Sequence, residues 1–162
     1  MNNKVLAALL VCLIAIIAPL SATAKDNQAI PEYTIEGAGT GQQGTYLVKV
    51  TVISKKKNVE AKTLCRAAVH GVLFRGFSST EYRQSQKPLA GVANEGQHAD
   101  FYADFFGNNG AAASYASVVP GSFVRTKFQK EYQTSAIVTV QKEQLLQFLE
   151  RQGIVRGLNS AF

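Results

Sequence analysis

Between Thr45 and Phe77 the hydrophobic period of the chain changes once, from two to about three and a half. Tyr46, Val48, Val50 and Val52 alternate with Leu47, Lys49, Thr51 and Ile53, which predicts a strand with one wholly apolar face. Lys55, Lys56, Lys57 and Asn58 follow as a turn. Then Leu64, Cys65, Ala68 and Val72, joined by Ala61 and Val69, step by three and four along one helical stripe. Lys62, Arg66 and Arg75 fall largely off that stripe, so the spacing predicts a long amphipathic helix. Asn58 is the expected N-cap, with Glu60 favoured by the helix dipole, and Gly76 the expected stop. Gly71 costs such a helix about 1 kcal/mol relative to alanine, a cost that close backbone packing would explain.

The flanking segments are read against that strand–turn–helix unit. Tyr33 to Glu36 is expected to form a short edge strand. The glycines at 37, 39, 41 and 44 resemble a phosphate cradle in spacing only. A cradle works where its glycine turn opens into a helix N-terminus, and these glycines feed a strand, so a connector is expected. From Phe77 to Gly121 periodicity fails, apart from a short aromatic-dense helix over 98–106. A connection of about 45 residues is far longer than usual, which predicts a functional or partly disordered insertion after the first helix. Order returns with a strand over 123–129, a second with Tyr132, Thr134, Ala136, Val138 and Val140 on one face, and a helix over 142–152 burying Leu145, Leu146 and Leu149. Gly153 and Ile154 fit a left-handed cap, and 154–155 a last short edge strand. The resulting order predicts an α+β fold, a two-layer ferredoxin-like (split βαβ) sandwich with both helices on one face of an antiparallel sheet.

The first residues change this picture. One lysine, then an uncharged apolar run from Val5 to Leu20 and Ala22-Thr23-Ala24, predict a signal peptide over 1–24. That run is shorter than the ~18 residues of a spanning helix. A single α+β domain over 25–162, with its insertion at 77–121, is therefore expected to be exported to the periplasm, cell surface or medium, with no integral membrane anchor after cleavage. The chain carries a formal charge of +6. For an exported protein without a dense basic run this points away from nucleic acid and is compatible with anionic envelope surfaces. Of its two cysteines Cys12 lies in the signal, leaving Cys65 without an intramolecular partner.

Little catalytic chemistry is legible. His98, Asp100 and Asp104 are the one cluster with metal-ligand residue types, but His98 is out of phase with the two aspartates on a helix, and zinc sites want three or four convergent ligands. Asp100 is read instead as a favourable charge at a helix N-terminus. Cys65 and His70, five residues apart, diverge by about 140° on a helix, so no thiol–imidazole pair is expected. No Gly-x-Ser-x-Gly elbow and no carboxylate pair stand out. No cofactor and no catalytic residue are assigned. What remains is partner binding by the insertion, through Tyr82, Arg83, Lys87, Phe101, Tyr102 and Phe105, against the alternative that its aromatics pin it to the core. A second candidate is the open sheet face, where Lys49, Arg125 and Lys127 are expected to align.

The exported strand–helix unit, the strand pair and the helix Lys142-Glu143-Gln144-Leu145-Leu146-Gln147-Phe148-Leu149-Glu150 resemble small α/β modules of bacterial envelope proteins. The curli-transport lipoprotein and the N-terminal module of the Tol translocation protein are of this kind. The resemblance covers roughly 70 residues of pattern, carries no functional motif, and implies envelope assembly or scaffolding. The expected function is thus a non-enzymatic exported module binding an envelope protein or polymer, with self-association open to it. The alternative is a small exported hydrolase or metal-dependent enzyme using the His98/Asp100/Asp104 region.

Overall fold

The computed structural model describes residues 29–156, so the expected signal peptide lies outside the described residues. Strand β1 (Tyr33–Gly37) and strand β2 (Tyr46–Ser54) form a hairpin across the glycine connector, which leads into α1 (Ala61–His70). A π-helical turn, Gly71–Arg75, extends α1 to Gly76. The chain then makes a small hairpin, β3 (Phe77–Ser79) and β4 (Gln84–Gln86), and two short helices, α2 (Val92–Gln97) and α3 (Ala99–Phe105). A 3-10 turn at Ala111–Tyr115 leads into β5 (Ala116–Val118), β6 (Val124–Phe128), β7 (Glu131–Val140) and α4 (Lys142–Arg151). Among the described residues no helix is long and apolar enough to cross a membrane.

The fold is α+β. The main sheet runs β1-β2-β7, and both β5 and β6 pair with the far side of β7, every pair antiparallel. Alternation decides which face is buried. Val48, Val50 and Val52 of β2 and Ala136, Val138 and Val140 of β7 are buried beneath the helices, with Leu64, Val69, Leu73 and Phe74 above them and Leu145 and Leu149 of α4 alongside. β6 and β7 meet in a two-residue loop at Gln129 and Lys130, where Gln129 takes the positive φ of 54° that such loops demand. Gly153 caps α4 at φ 70°, and the Ile154 N–H bonds the Leu149 carbonyl, as the sequence predicts.

Several expectations are corrected. Glu60 rather than Asn58 occupies the N-cap position, extended and without a side-chain cap bond. Ala61 is exposed at the first turn of α1, and Arg66 is buried, lying by Pro31 and the β2–α1 connection at Ser54 and Asn58. Residues 154–155 form no strand; the edge beside β2 is taken by β1. The expected insertion does not run intact to Gly121, since the chain rejoins the main sheet at Ala116. Nor is it a loose connection: Tyr102, Phe105, Phe106 and Ala112 belong to the one core cluster.

Candidate functional site

The outer sheet face, away from the helices, presents the second set of alternating side chains. Register sets Glu36 opposite Lys49, Lys49 opposite Ile137, and Thr51 opposite Ser135, with Val124 on the other side of Ser135. The Thr51 and Ser135 hydroxyls share a hydrogen bond of 3.0 Å. The β3–β4 hairpin leans over this face. Gln84 Nε2 donates to the Gly39 carbonyl at 2.8 Å, and a Cβ added at Gly37, opposite buried Val48, would stand 2.6 Å from Gln84 Oε1, so the hairpin is seated on the end of β1.

Between hairpin and sheet is a cleft of about 1130 Å³. Glu36, Lys49 and Ile137 line its floor, Tyr82 and Arg83 its hairpin wall, and Val124 its far side. Arg83 is held at φ 49°, a left-handed conformation costly for a residue with a Cβ. Tyr82 is 47% exposed and Val124 57%, so each offers apolar area to an occupant. The cleft exceeds the usual range of small-molecule pockets and mixes polar with apolar lining residues, which suits a segment of chain better than an enclosed metabolite.

A second polar constellation lies on the helix side. Tyr33 Oη is 2.6 Å from His70 Nδ1, and His70 Nε2 is 3.0 Å from Glu95 Oε1. An ionised carboxylate only accepts, so Nε2 carries the proton, Nδ1 is the acceptor, and the Tyr33 hydroxyl donates to it. Burial pushes the Tyr33 phenol up to about 12, and burial pulls His70 below its ordinary value against the opposing pull of Glu95. Arg75 lies 4.3 Å above the Tyr33 ring and donates to the Tyr33 carbonyl. The row looks like a catalytic relay, but its nucleophile end, Tyr33, is only 4% exposed. A hydroxyl shut in the core meets no substrate; the row ties β1, α1 and α2 together.

The aromatic segment is core. Tyr102 and Phe105, expected to touch a partner, are buried: Tyr102 stands edge-on to Phe74 at 4.8 Å, and Phe105 stacks on Phe148 at 5.6 Å. Phe101 is half-buried against the same rings. Tyr82, Arg83 and Lys87 are exposed on or beside the β3–β4 hairpin, Tyr82 and Arg83 together in the cleft. Lys49 does not align with Arg125 and Lys127. Arg125 pairs with Thr134 and Lys127 with Tyr132, residues of the helix-side face, whereas Lys49 pairs with outer-face Ile137. Asp100 and Asp104 are exposed, and among the described residues no three His, Cys, Asp or Glu side chains gather as a metal site. Cys65 is buried, and burial pushes its thiol up, away from a reactive thiolate.

Sequence reasoning missed the cleft because the stretch forming the hairpin has no period, and missed the Tyr33–His70–Glu95 row because 37 and 25 positions separate its members. The signal for the hairpin was Gly76, whose added Cβ would stand 2.4 Å from the Gln86 carbonyl where the chain folds back. No family model, no curated protein and no solved structure matches this chain.

Proposed function

We propose that the chain is an exported, non-enzymatic binding or assembly module of the bacterial cell envelope, and that it holds its partner in the cleft between the β3–β4 hairpin and the outer sheet face. The observation that carries this reading is the cleft itself: an open groove walled by exposed Tyr82 and strained Arg83 over a floor with Lys49. Arg83 closes the Thr80–Arg83 loop, and its left-handed backbone fixes where its guanidinium stands at the mouth of the cleft. The segmental ligand, an envelope protein or polymer, follows from the groove's size and mixed lining. In fold terms we read β2, α1, the β5–β6 edge and β7 as a split βαβ unit, with β1 where a C-terminal strand would complete it. Export rests on the sequence of residues 1–24, and intact mass of the exported protein tests it, with a start at Lys25 expected.

A photo-crosslinking residue at position 82 tests the site in living cells. An adduct is expected from position 82 and not from position 92, where Val92 is 69% exposed on α2 outside the cleft. Arg83→Glu is expected to lower the adduct yield with the melting temperature unchanged. Equal adducts from 82 and 92, or none from either, sink the cleft as the site.

A further inference from the structure

The sheet has two edges, and the structure treats them differently. At β1 the Arg75 guanidinium donates to the Tyr33 carbonyl, and the β3–β4 hairpin packs at Gly37. At the other edge every residue of β6, Val124–Phe128, is exposed, including Phe128 at 67%. Because the two-residue loop makes Phe128 and Glu131 the hydrogen-bonded pair, alternate residues of β6 bond to β7. The N–H and C=O groups of Arg125 and Lys127 therefore face outward. Such a row is a template for another strand.

Charge selects the strand. β6 alternates Val124, Thr126 and Phe128 on the outer face with Arg125 and Lys127 on the other. In the symmetric antiparallel pairing of two copies about Thr126, Arg125 of one faces Lys127 of the next, and like charges directly opposite destabilise. The same two cations favour a strand carrying acids there. Lys55, Lys56 and Lys57 leave β2 next to Ser54, whose partner is Tyr132, at the end of the sheet where the hairpin turns through Lys130. Four more exposed lysines thus stand at that end against exposed Glu131 and Glu32, leaving it net cationic and favouring an anionic partner.

We propose that the β6 edge adds a strand from an acidic partner, an extended segment in which apolar residues alternate with Asp or Glu, the apolar ones flanking Val124 and Phe128 and the acidic ones flanking Arg125 and Lys127. The proposal rests on the binding reading above but uses a different surface from the Tyr82–Arg83 wall, so failure of the variant at position 83 leaves it standing. Main-chain bonds supply the affinity and the alternating charges the selectivity.

The test uses the purified soluble protein and labelled synthetic peptides of about six residues, one alternating valine with glutamate and one alternating valine with lysine. The acidic peptide is expected to bind, more weakly as salt rises, and to shift the backbone amide signals of Arg125 and Lys127 most. Arg125→Glu with Lys127→Glu is expected to weaken it by at least about tenfold. Lys127→Pro removes an outward N–H without touching the β7 ladder, and is expected to weaken binding beyond Lys127→Gln at an unchanged melting temperature. Equal binding of the two peptides, no binding of the acidic one, or amide shifts elsewhere overturns the proposal. So does capture by phosphatidylglycerol vesicles through Phe128 with the peptide inert, which would make the edge a membrane contact, or a concentration-dependent dimer broken by Lys127→Pro.

Discussion

His70 shows how much one buried ring can depend on its neighbours. Its imidazole sits edge-on between Phe74 and Phe106, with ring centroids 4.9 and 5.3 Å away, and its two nitrogens are spent on Tyr33 and Glu95. Burial is the largest influence and holds it below its ordinary value; Arg75 adds to that, and Glu95 opposes. As pH falls the unfolded chain therefore takes up this proton before the folded one does. The His70 contribution is full above about 6.5, the unfolded value. It declines as pH drops towards the folded-state value and is lost below it. Melting temperatures between pH 8 and pH 4 are expected to fall below about pH 6.5 in the parent chain and to fall less in His70→Gln. Parallel curves for the two would remove His70 from the account. None of this was legible along the chain, because no local spacing joins Tyr33, His70 and Glu95. Val50, by contrast, was readable from alternation alone and is fully buried.

At the scale of elements, legibility followed periodicity. β2, β7 and α4 appear where the two- and three-to-four-residue steps put them, and α1 does so apart from its cap and its buried Arg66. Periodicity describes one face of an element against one neighbour. It failed at Arg66 of α1, which the chain around Pro31 and Ser54 covers from a second side. It put Arg125 and Lys127 on one face, but the expectation that Lys49 joins them fails, because that depends on the register with β7. Gly71 is a case the sequence did announce. A Cβ there would stand 2.7 Å from Ile35 Cδ1, so β1 packs directly on the helix backbone. Gly71→Ala gains about 1 kcal/mol of helix propensity and loses about 1–3 kcal/mol to overpacking. Since Ile35 is half-buried on an edge strand and gives only partly, overpacking is expected to win. Urea unfolding should show a net loss of stability; a gain would mean that β1 is a loose flap rather than a packed strand.

For the whole molecule the question is whether residues 77–115 are an accessory or part of the one cooperative unit. Economy of connection argued for an accessory, and the packing argues the other way. Phe105 and Phe106 lie in the core with Phe74 of the π-helical turn, and Phe105 and Tyr115 meet Phe148 of α4. Tyr102 also donates to Asn94 Oδ1 at 2.7 Å, while Asn94 Nδ2 donates to the Ile154 carbonyl beyond α4. The region thus binds the C-terminal helix to α1 and cannot open without uncovering Phe74 and Leu149. Amide hydrogen exchange checks this, because a cooperative unit opens with one free energy and an accessory with a lower one of its own. The amides of Tyr102 in α3 and of Phe106 at its C-cap, bonded to the His98 and Tyr102 carbonyls, are expected to exchange at the same opening free energy as those of β2 and β7. Tyr102→Ala should lower all of them together by about 3–5 kcal/mol, the cost of removing a buried aromatic. Early exchange of α3 in the parent chain, or a loss on truncation confined to α3, would detach this region from the core. A partner site would then have to be sought on its aromatics as well as on the sheet.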